Sequence, residues 1–312
     1  MLDIHEMQIF LAAAETGSFS EAGRRLQLSQ PAVSMQIRSL EKRLDVALFH
    51  RAGRHIRLTE AGQTLVPMAR QLVNQAIQVQ ETIAALQGMV TGTLRIACST
   101  TAGRYVLPRL IAGFVDRYPL VQVVCTVSGR SEAIDVLLGG QAQIAITSLR
   151  EISRELEYRH FLFDPIALIV HPSHPWARRS AIHVSDLPGG RFVLREPTAG
   201  TYQTVADALA EHGMNIRDLA PIMTLGNSEA ILVAVMEGIG VAFLSRRAAA
   251  RAIADGHVVE VPVEGLQMAQ QLHMVRRAEH TMSTVATAFW DFVYAPDNRH
   301  LLNGMAGNNQ RE

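Results

Sequence analysis

Three short stretches concentrate side chains able to bind a small charged molecule: CSTTAG (98–103), REPTAGTY (195–202) and GNSEA (226–230). Each lies between a strand-like run and a helix-like run. A helix N-terminus carries unpaired N–H groups and a partial positive charge, so small hydroxyl and amide residues there suit an anion. The candidate ligands are Ser99, Thr100, Thr101, Thr198, Gly200, Thr201, Asn227 and Ser228, joined by Thr147 at the end of another strand-like run. Arg195 is the cation nearby, with a structural bond to Glu196 as its alternative role. Any one loop could be a capped helix and nothing more. Three such loops at strand ends are harder to dismiss as caps alone.

Other chemistries lack their residues. No G-x-S-x-G elbow or comparable triad pattern is visible, so no catalytic residue is assigned. His171-Pro-Ser-His174-Pro has two prolines and no acidic neighbour, and reads as a loop, not a metal site. Cys98 and Cys125 sit in apolar β-like runs as buried free thiols. No metal or cofactor is expected.

A second chemistry is carried by positive charge. Over 312 residues the formal net charge is +0, with 48% hydrophobic and 19% charged residues, the balance of a globular protein. Between Phe19 and Leu58, however, Arg24, Arg25, Arg38, Lys42, Arg43, Arg51, Arg54 and Arg57 face only Glu21, Glu41 and Asp45. Eight minus three leaves a local excess of five positive charges, enough for phosphate affinity that the average conceals. A solvated face remains the alternative for Arg43. No signal peptide or apolar run of ~18 residues is present, so a cytoplasmic protein without a membrane partner is expected.

The elements that must position this charge are short helices. Ile4, Met7, Phe10, Leu11 and Ala14 share a helical face that stops at Gly17. Ser18 and Glu21 form an S-x-x-E capping box for a helix to about Leu26. Ser29 caps the next, with Pro31 in its first turn and Val33, Ile37, Leu40 and Leu44 as its apolar stripe. The polar face of that helix is displayed as in a helix-turn-helix, whose recognition helix enters the major groove. An ordinary amphipathic helix pair is the alternative. Residues 49–51 and 55–58 then read as a β-hairpin whose tip places Arg51 and Arg54 beside the DNA backbone or minor groove.

A long helix runs from Thr59 to about Gln87. Leu65, Met68, Leu72, Ala76, Val79, Ile83 and Leu86 recur at gaps of three and four, close to a coiled-coil seam. Leu65, Met68, Leu72, Val79, Ile83 and Leu86 are the candidate dimerisation contacts. From Thr93 onward strand-like and helix-like runs alternate, which argues for parallel α/β sheets with ligands at the strand ends.

The run A22-x-x-L-x-L-S-Q-P-A-V-S-x-Q-I-x-x-L-E-x-x-L44, followed by LFHRAGRHIRLTEAG (48–62), resembles the LysR-type transcriptional regulators. That resemblance implies a winged helix-turn-helix over 1–58 (motif about 18–38), a linker and dimerisation helix over 59–90, and an effector domain over 91–295. The effector domain would be two Rossmann-like subdomains of periplasmic-binding-protein type, I (91–163 and 266–295) and II (164–265). The composition of residues 296–312, with Gly, Asn and Gln, predicts a disordered tail. Groove contacts would fall to Ser29, Gln30, Pro31, Ser34, Met35 and Arg38. At Met35 family members often carry a basic or hydrogen-bonding residue. The implied partners are operator DNA, RNA polymerase, further copies of the chain as homodimer or homotetramer, and a small effector.

LREPTAGTY also resembles a subgroup, including regulators of carbon dioxide fixation and of sulfur metabolism, in which an R-E-x-G-S-G-T-R-like loop closes over an anion. Gly200 and Thr201 match that loop. Ala199 and Tyr202 replace a hydroxyl and an arginine, which favours a carboxylate or inorganic anion over a phosphate ester. A two-lobed α/β enzyme acting on a small anion, and a constitutive DNA-binding protein without effector, are the alternatives.

Overall fold

The computed structural model describes residues 2–52, 55–219, 221–278 and 281–302. The chain opens with α1 (Ile4–Thr16), α2 (Phe19–Leu26), α3 (Gln30–Leu44), β1 (Phe49–Ala52), β2 (His55–Leu58) and the long α4 (Glu60–Leu86). Met7, Ile9, Phe10, Val33, Ile37, Leu40 and Leu48 fill the core of this head, against which the start of α4 also packs. Helix α1 begins with a two-way cap: Asp3 accepts from the His5 N–H, and Glu6 reaches back to the Asp3 N–H. The box expected at Ser18 is only half made. Ser18 Oγ accepts from the Glu21 N–H, while the Glu21 carboxylate pairs with Arg24 instead. Ser29 Oγ accepts from the Ala32 N–H and starts α3.

The second region runs β3 (Gly92–Ser99), a π-helical turn (Ala102–Val106), α5 (Leu107–Arg117), β4 (Val121–Ser128), α6 (Arg130–Leu138) and β5 (Ile144–Thr147). It continues with β6 (Leu156–Val170), β7 (Ile182–His183), β8 (Val193–Arg195), α7 (Gly200–Glu211), β9 (Met223–Leu225) and α8 (Ser228–Met236). It closes with β10 (Ala242–Ser245), α9 (Arg246–Ala254), β11 (Val259–Val261), β12 (Val263–Glu264), β13 (Ala269–Arg277), α10 (Thr284–Tyr294) and α11 (Arg299–Leu302).

Strand order in the main sheet is β10-β6-β13-β5-β3-β4, with β11 also on β6. The sheet is mixed, which corrects the expectation of parallel sheets. β3 pairs parallel to β4 and β5, but β13 pairs antiparallel to both β5 and β6. The physical reason is connectivity: β6 carries the chain out of the first lobe and β13 returns it alongside, in the opposite direction. Their ladder runs from Leu156↔Arg277 to Pro165↔Ala269, with a register shift at Leu272/His273. One core gathers Leu94, Ile96, Phe114, Leu272, Phe289 and Val293. Others, around Phe192, Leu209 and Phe243 and around Ile169, Ile231 and Leu244, lie beyond the crossing.

Two further sequence expectations change. Residues 296–302, assigned to a disordered tail, form a 3-10 turn and α11. Leu301 and Leu302 pack on the first lobe's core, and the Leu302 carbonyl accepts from Arg247 Nη1 at 3.1 Å. Residues 303–312 lie outside the described residues. Cys98 and Cys125 are both free thiols on neighbouring strands with Sγ atoms 3.3 Å apart, and only Cys98 is fully buried.

Candidate functional site

The DNA-facing candidates divide by exposure. Ser29, Gln30, Pro31 and Arg38 are exposed at α3, and Met35 is 61% exposed. Ser34, counted among the groove contacts, is 4% exposed, so α3 holds it inside the head and away from any groove. Its position one residue after Val33 on the stripe explains this, because the buried arc is wider than the apolar spacing alone. Arg38 Nε donates to the Ser34 carbonyl at 3.2 Å. Part of the local positive excess is spent at home: Arg24 pairs with Glu21, Arg25 with Glu15, and Arg43 with the buried Glu6. β1 and β2 form the expected hairpin, with Arg51 opposite Ile56. Arg54 lies outside the described residues. Along α4 Met68, Leu72, Val79, Ile83 and Leu86 are exposed, whereas Leu65 is half-buried against the head.

The second site is a cleft of about 400 Å³ where three strand-to-helix junctions converge. Ser99, Thr100, Thr101, Arg195, Thr198, Gly200 and Thr201 line it. Thr147, Asn227 and Ser228 do not, and each has a structural duty instead. Thr147 Oγ1 donates to the Arg130 carbonyl and accepts from the Leu149 N–H. Asn227 caps α8 by accepting from the Ala230 N–H at 2.7 Å. Ser228 Oγ accepts from Arg195 Nη1 at 2.9 Å.

Arg195 is committed as well. It is buried, and its Nε and Nη2 both donate to Glu196 at 2.8 Å. Burial alone would raise the Glu196 carboxyl, but Arg195 holds it below the usual carboxylate range. The structural alternative for Arg195 therefore fits its contacts better than a role as the ligand's counter-ion.

The lining residues not singled out from the sequence include Ser128, Arg130, Ser131, Ser148 and Gln270. The run S-G-R-S-E (128–132) ends β4 and opens α6, the same signal as the three loops that were chosen. Arg130 reaches across the cleft, its Nε donating to the Thr198 carbonyl at 2.8 Å. Gln270 had no local signal; it lies inside β13, and its Nε2 donates to Thr201 Oγ1 at 2.9 Å. Gly200 permits this packing, since a Cβ there would collide with Ser148 Oγ and Gln270 Oε1.

Electrostatics favour an anion in spite of Glu132 and Glu196 at the rim. The N-cap residues of α6 and α7 make no side-chain cap bond; Glu132 Oε2 accepts from the Gly129 N–H at 3.4 Å, and the first N–H groups within each helix are left for another acceptor. Ser99 Oγ is buried with no hydrogen-bond partner among the described residues. A buried hydroxyl without a partner costs roughly 1–3 kcal/mol, which an occupying oxyanion would offset. A second clasp closes the lobes nearby: Tyr105 Oη donates to Glu229 Oε1 at 2.7 Å, and Arg104 pairs with the same carboxylate.

Comparison with known proteins matches residues 87–295 to the LysR substrate binding domain. Residues 4–63 match the bacterial regulatory helix-turn-helix protein, lysR family. The chain is 31% identical to the HTH-type transcriptional activator CmpR of Synechocystis, covering 94% of this chain and 95% of that one. It is also 31% identical to the RuBisCO operon transcriptional regulator of Allochromatium vinosum, again over 94% and 95%. Among solved structures, the Synechocystis CcmR regulatory domain in complex with 2-PG superposes with a TM-score of 0.59 at 26% identity. That match covers 65% of this chain and 96% of the other. No helix among the described residues is long and apolar enough to cross a membrane.

Proposed function

The chain belongs to the LysR family of DNA-binding transcriptional regulators, which are not enzymes, and on that premise we propose how its parts divide the work. Helix α3 enters the major groove with Gln30, Pro31, Met35 and Arg38, and the β1–β2 wing lies beside the DNA backbone. The exposed seam of α4 pairs two copies, and pairs of dimers form a tetramer on an interrupted palindrome. Two recognition helices would then reach half-sites ~34–36 Å apart or a multiple of it. At a promoter in the cytoplasm this assembly would act on RNA polymerase.

The cleft between the lobes is the effector site, and its ligand is a small anion. The observation that carries this reading is Ser99 Oγ, buried with no hydrogen-bond partner among the described residues, beside Arg130 and two helix N-termini whose N-cap residues offer no side-chain acceptor. CcmR, whose regulatory domain shares the fold, was solved with 2-PG, so an anion of similar size is the natural probe. Effector binding would change lobe closure and, through α4, the spacing of the DNA-binding heads. A coupling of ~1–3 kcal/mol is typical of such switches.

A thermal-shift screen of the full chain against 2-PG, carboxylates, sulfate and sugar phosphates tests the proposal. A ligand at a hundred times its dissociation constant should add about 2.7 kcal/mol of stability, lost in Thr100→Ala. A panel without a single hit would refute the anion assignment. A hit that leaves footprint and transcription unchanged would refute the switch.

A further inference from the structure

The linker helix meets the first lobe across a seam of hydrogen bonds to backbone carbonyls. Arg70 Nη1 donates to Gly139 at 3.1 Å, Asn74 Nδ2 to Gly140 at 3.0 Å and Gln78 Nε2 to Thr281 at 3.3 Å. One turn further along, Glu81 breaks the pattern. It is 4% exposed, yet neither carboxylate oxygen has a hydrogen-bond partner among the described residues. Burial pushes its carboxyl above the usual range, with the Ser283 hydroxyl and Arg95 pulling the other way. The fold makes room for this group: Gly92 sits at φ +120°, and a Cβ there would collide with Glu81 Oε1.

Arg277, at the end of β13, lines the same cavity of about 440 Å³. It is half-buried, forms no salt bridge or side-chain hydrogen bond among the described residues, and burial lowers its pKa. A buried carboxylate whose oxygens have no hydrogen-bond partner among the described residues, with only the charge of Arg95 and the Ser283 hydroxyl near it, is costly, and so is a half-buried guanidinium without a salt bridge among them. Were their purpose structural, the cheapest arrangement would pair them with each other. They share one cavity and stay apart. A molecule carrying a cation at one end and an anion at the other would satisfy both.

We propose that this cavity is a second ligand site, for a small zwitterion of the α-amino acid type, with its ammonium on Glu81 and its carboxylate on Arg277. The volume admits such a molecule, and the amides of Gln78 and Gln143 supply further polar wall. One wall is α4 and the other is the first lobe, so an occupant ties the helix bearing the DNA-binding head to the effector domain. None of its lining residues belongs to the anion cleft.

Calorimetric titration of the full chain with each of the twenty common L-amino acids is the test. At least one should bind at one site per chain and weaken about tenfold or more in Glu81→Gln and in Arg277→Gln. Its N-acetyl and methyl-ester derivatives should fail to bind, and Thr100→Ala should leave its affinity unchanged. Should Glu81→Gln misfold, Arg277→Gln, at the less buried of the two residues, carries the result alone. Absence of binding by all twenty would overturn the proposal. So would binding that survives both substitutions, or that Thr100→Ala abolishes.

Discussion

Arg130 Nε donates to the Thr198 carbonyl at 2.8 Å and joins the two lobes across the cleft. The bond starts at the first residue of α6 and ends two residues before α7, so it ties together two helix N-termini whose N-cap residues make no side-chain cap bond. Its donor is also the cation best placed to meet an anion, because Arg195 is already bound to Glu196 and Ser228. Closure and ligand charge are therefore coupled through one side chain.

Arg130→Ala should weaken anion binding by about 10- to 100-fold, the loss of a charge-assisted hydrogen bond worth roughly 1.5–3 kcal/mol. Arg130→Lys should recover part of the affinity, since it keeps the charge and loses the fork geometry. Calorimetry with an anion from the screen measures both. Equal affinity in Arg130→Ala and the unaltered chain would reassign the anion's counter-charge to the helix N-termini alone.

How much of this was legible in the sequence depended on whether the signal was local. The cap at Ser29 and the stripe of Val33, Ile37 and Leu40 follow from spacing within one helix. Ser34 was misjudged because burial on α3 depends on what α1 and α2 place opposite it. In the cleft, Thr147, Asn227 and Ser228 look like ligands in one dimension and turn out to be structural in three. Gln270 was invisible: only the antiparallel return of β13 beside β6 brings it to Thr201. Arg130 carried the same strand-to-helix signal as the loops that were chosen, and it could have been read.

Arg38→Ala should cost ~1–3 kcal/mol of DNA binding at a specific site and relax preference at one base position, if the side chain reads a base edge. Ser34→Ala should leave base preference intact, because its hydroxyl lies inside the head. Selection from a randomised operator library separates the two. Uniform weakening of Arg38→Ala on every sequence would make it a phosphate contact, and altered preference in Ser34→Ala would contradict its burial.

The exposed seam of α4 offers a direct test of self-association. Val79 and Ile83 lie one turn apart and are 63% and 55% exposed, so neither supports the chain's own core. Val79→Glu with Ile83→Glu should leave each copy folded while placing like charges across a pairing helix. Sedimentation should then show a species of lower mass than that of the unaltered chain. Unchanged sedimentation would move the dimer interface elsewhere.

Asp164 links the crossing strands to pH. It is fully buried on β6 opposite Gln270, with Ser245 Oγ donating to its Oδ1 at 2.7 Å and Arg247 Nε 3.7 Å away. Burial, only partly opposed by Ser245 and Arg247, pushes its carboxyl from 3.8 up to about 6. A raised folded-state value means the folded chain keeps a proton that the unfolded chain has released. The associated stability is complete below about pH 4 and is lost as pH rises through about 6. The gap corresponds to about 3 kcal/mol. Asp164→Asn keeps an acceptor for Ser245 and has no proton to lose, so it escapes this dependence. Its stability relative to the unaltered chain should rise by about 3 kcal/mol between roughly pH 4 and pH 7.5, whatever constant offset the loss of charge beside Arg247 adds. Chemical denaturation of both proteins at several pH values gives that difference directly. A difference that stays flat would mean Arg247 keeps the buried carboxylate charged throughout, and the crossing would then be indifferent to pH.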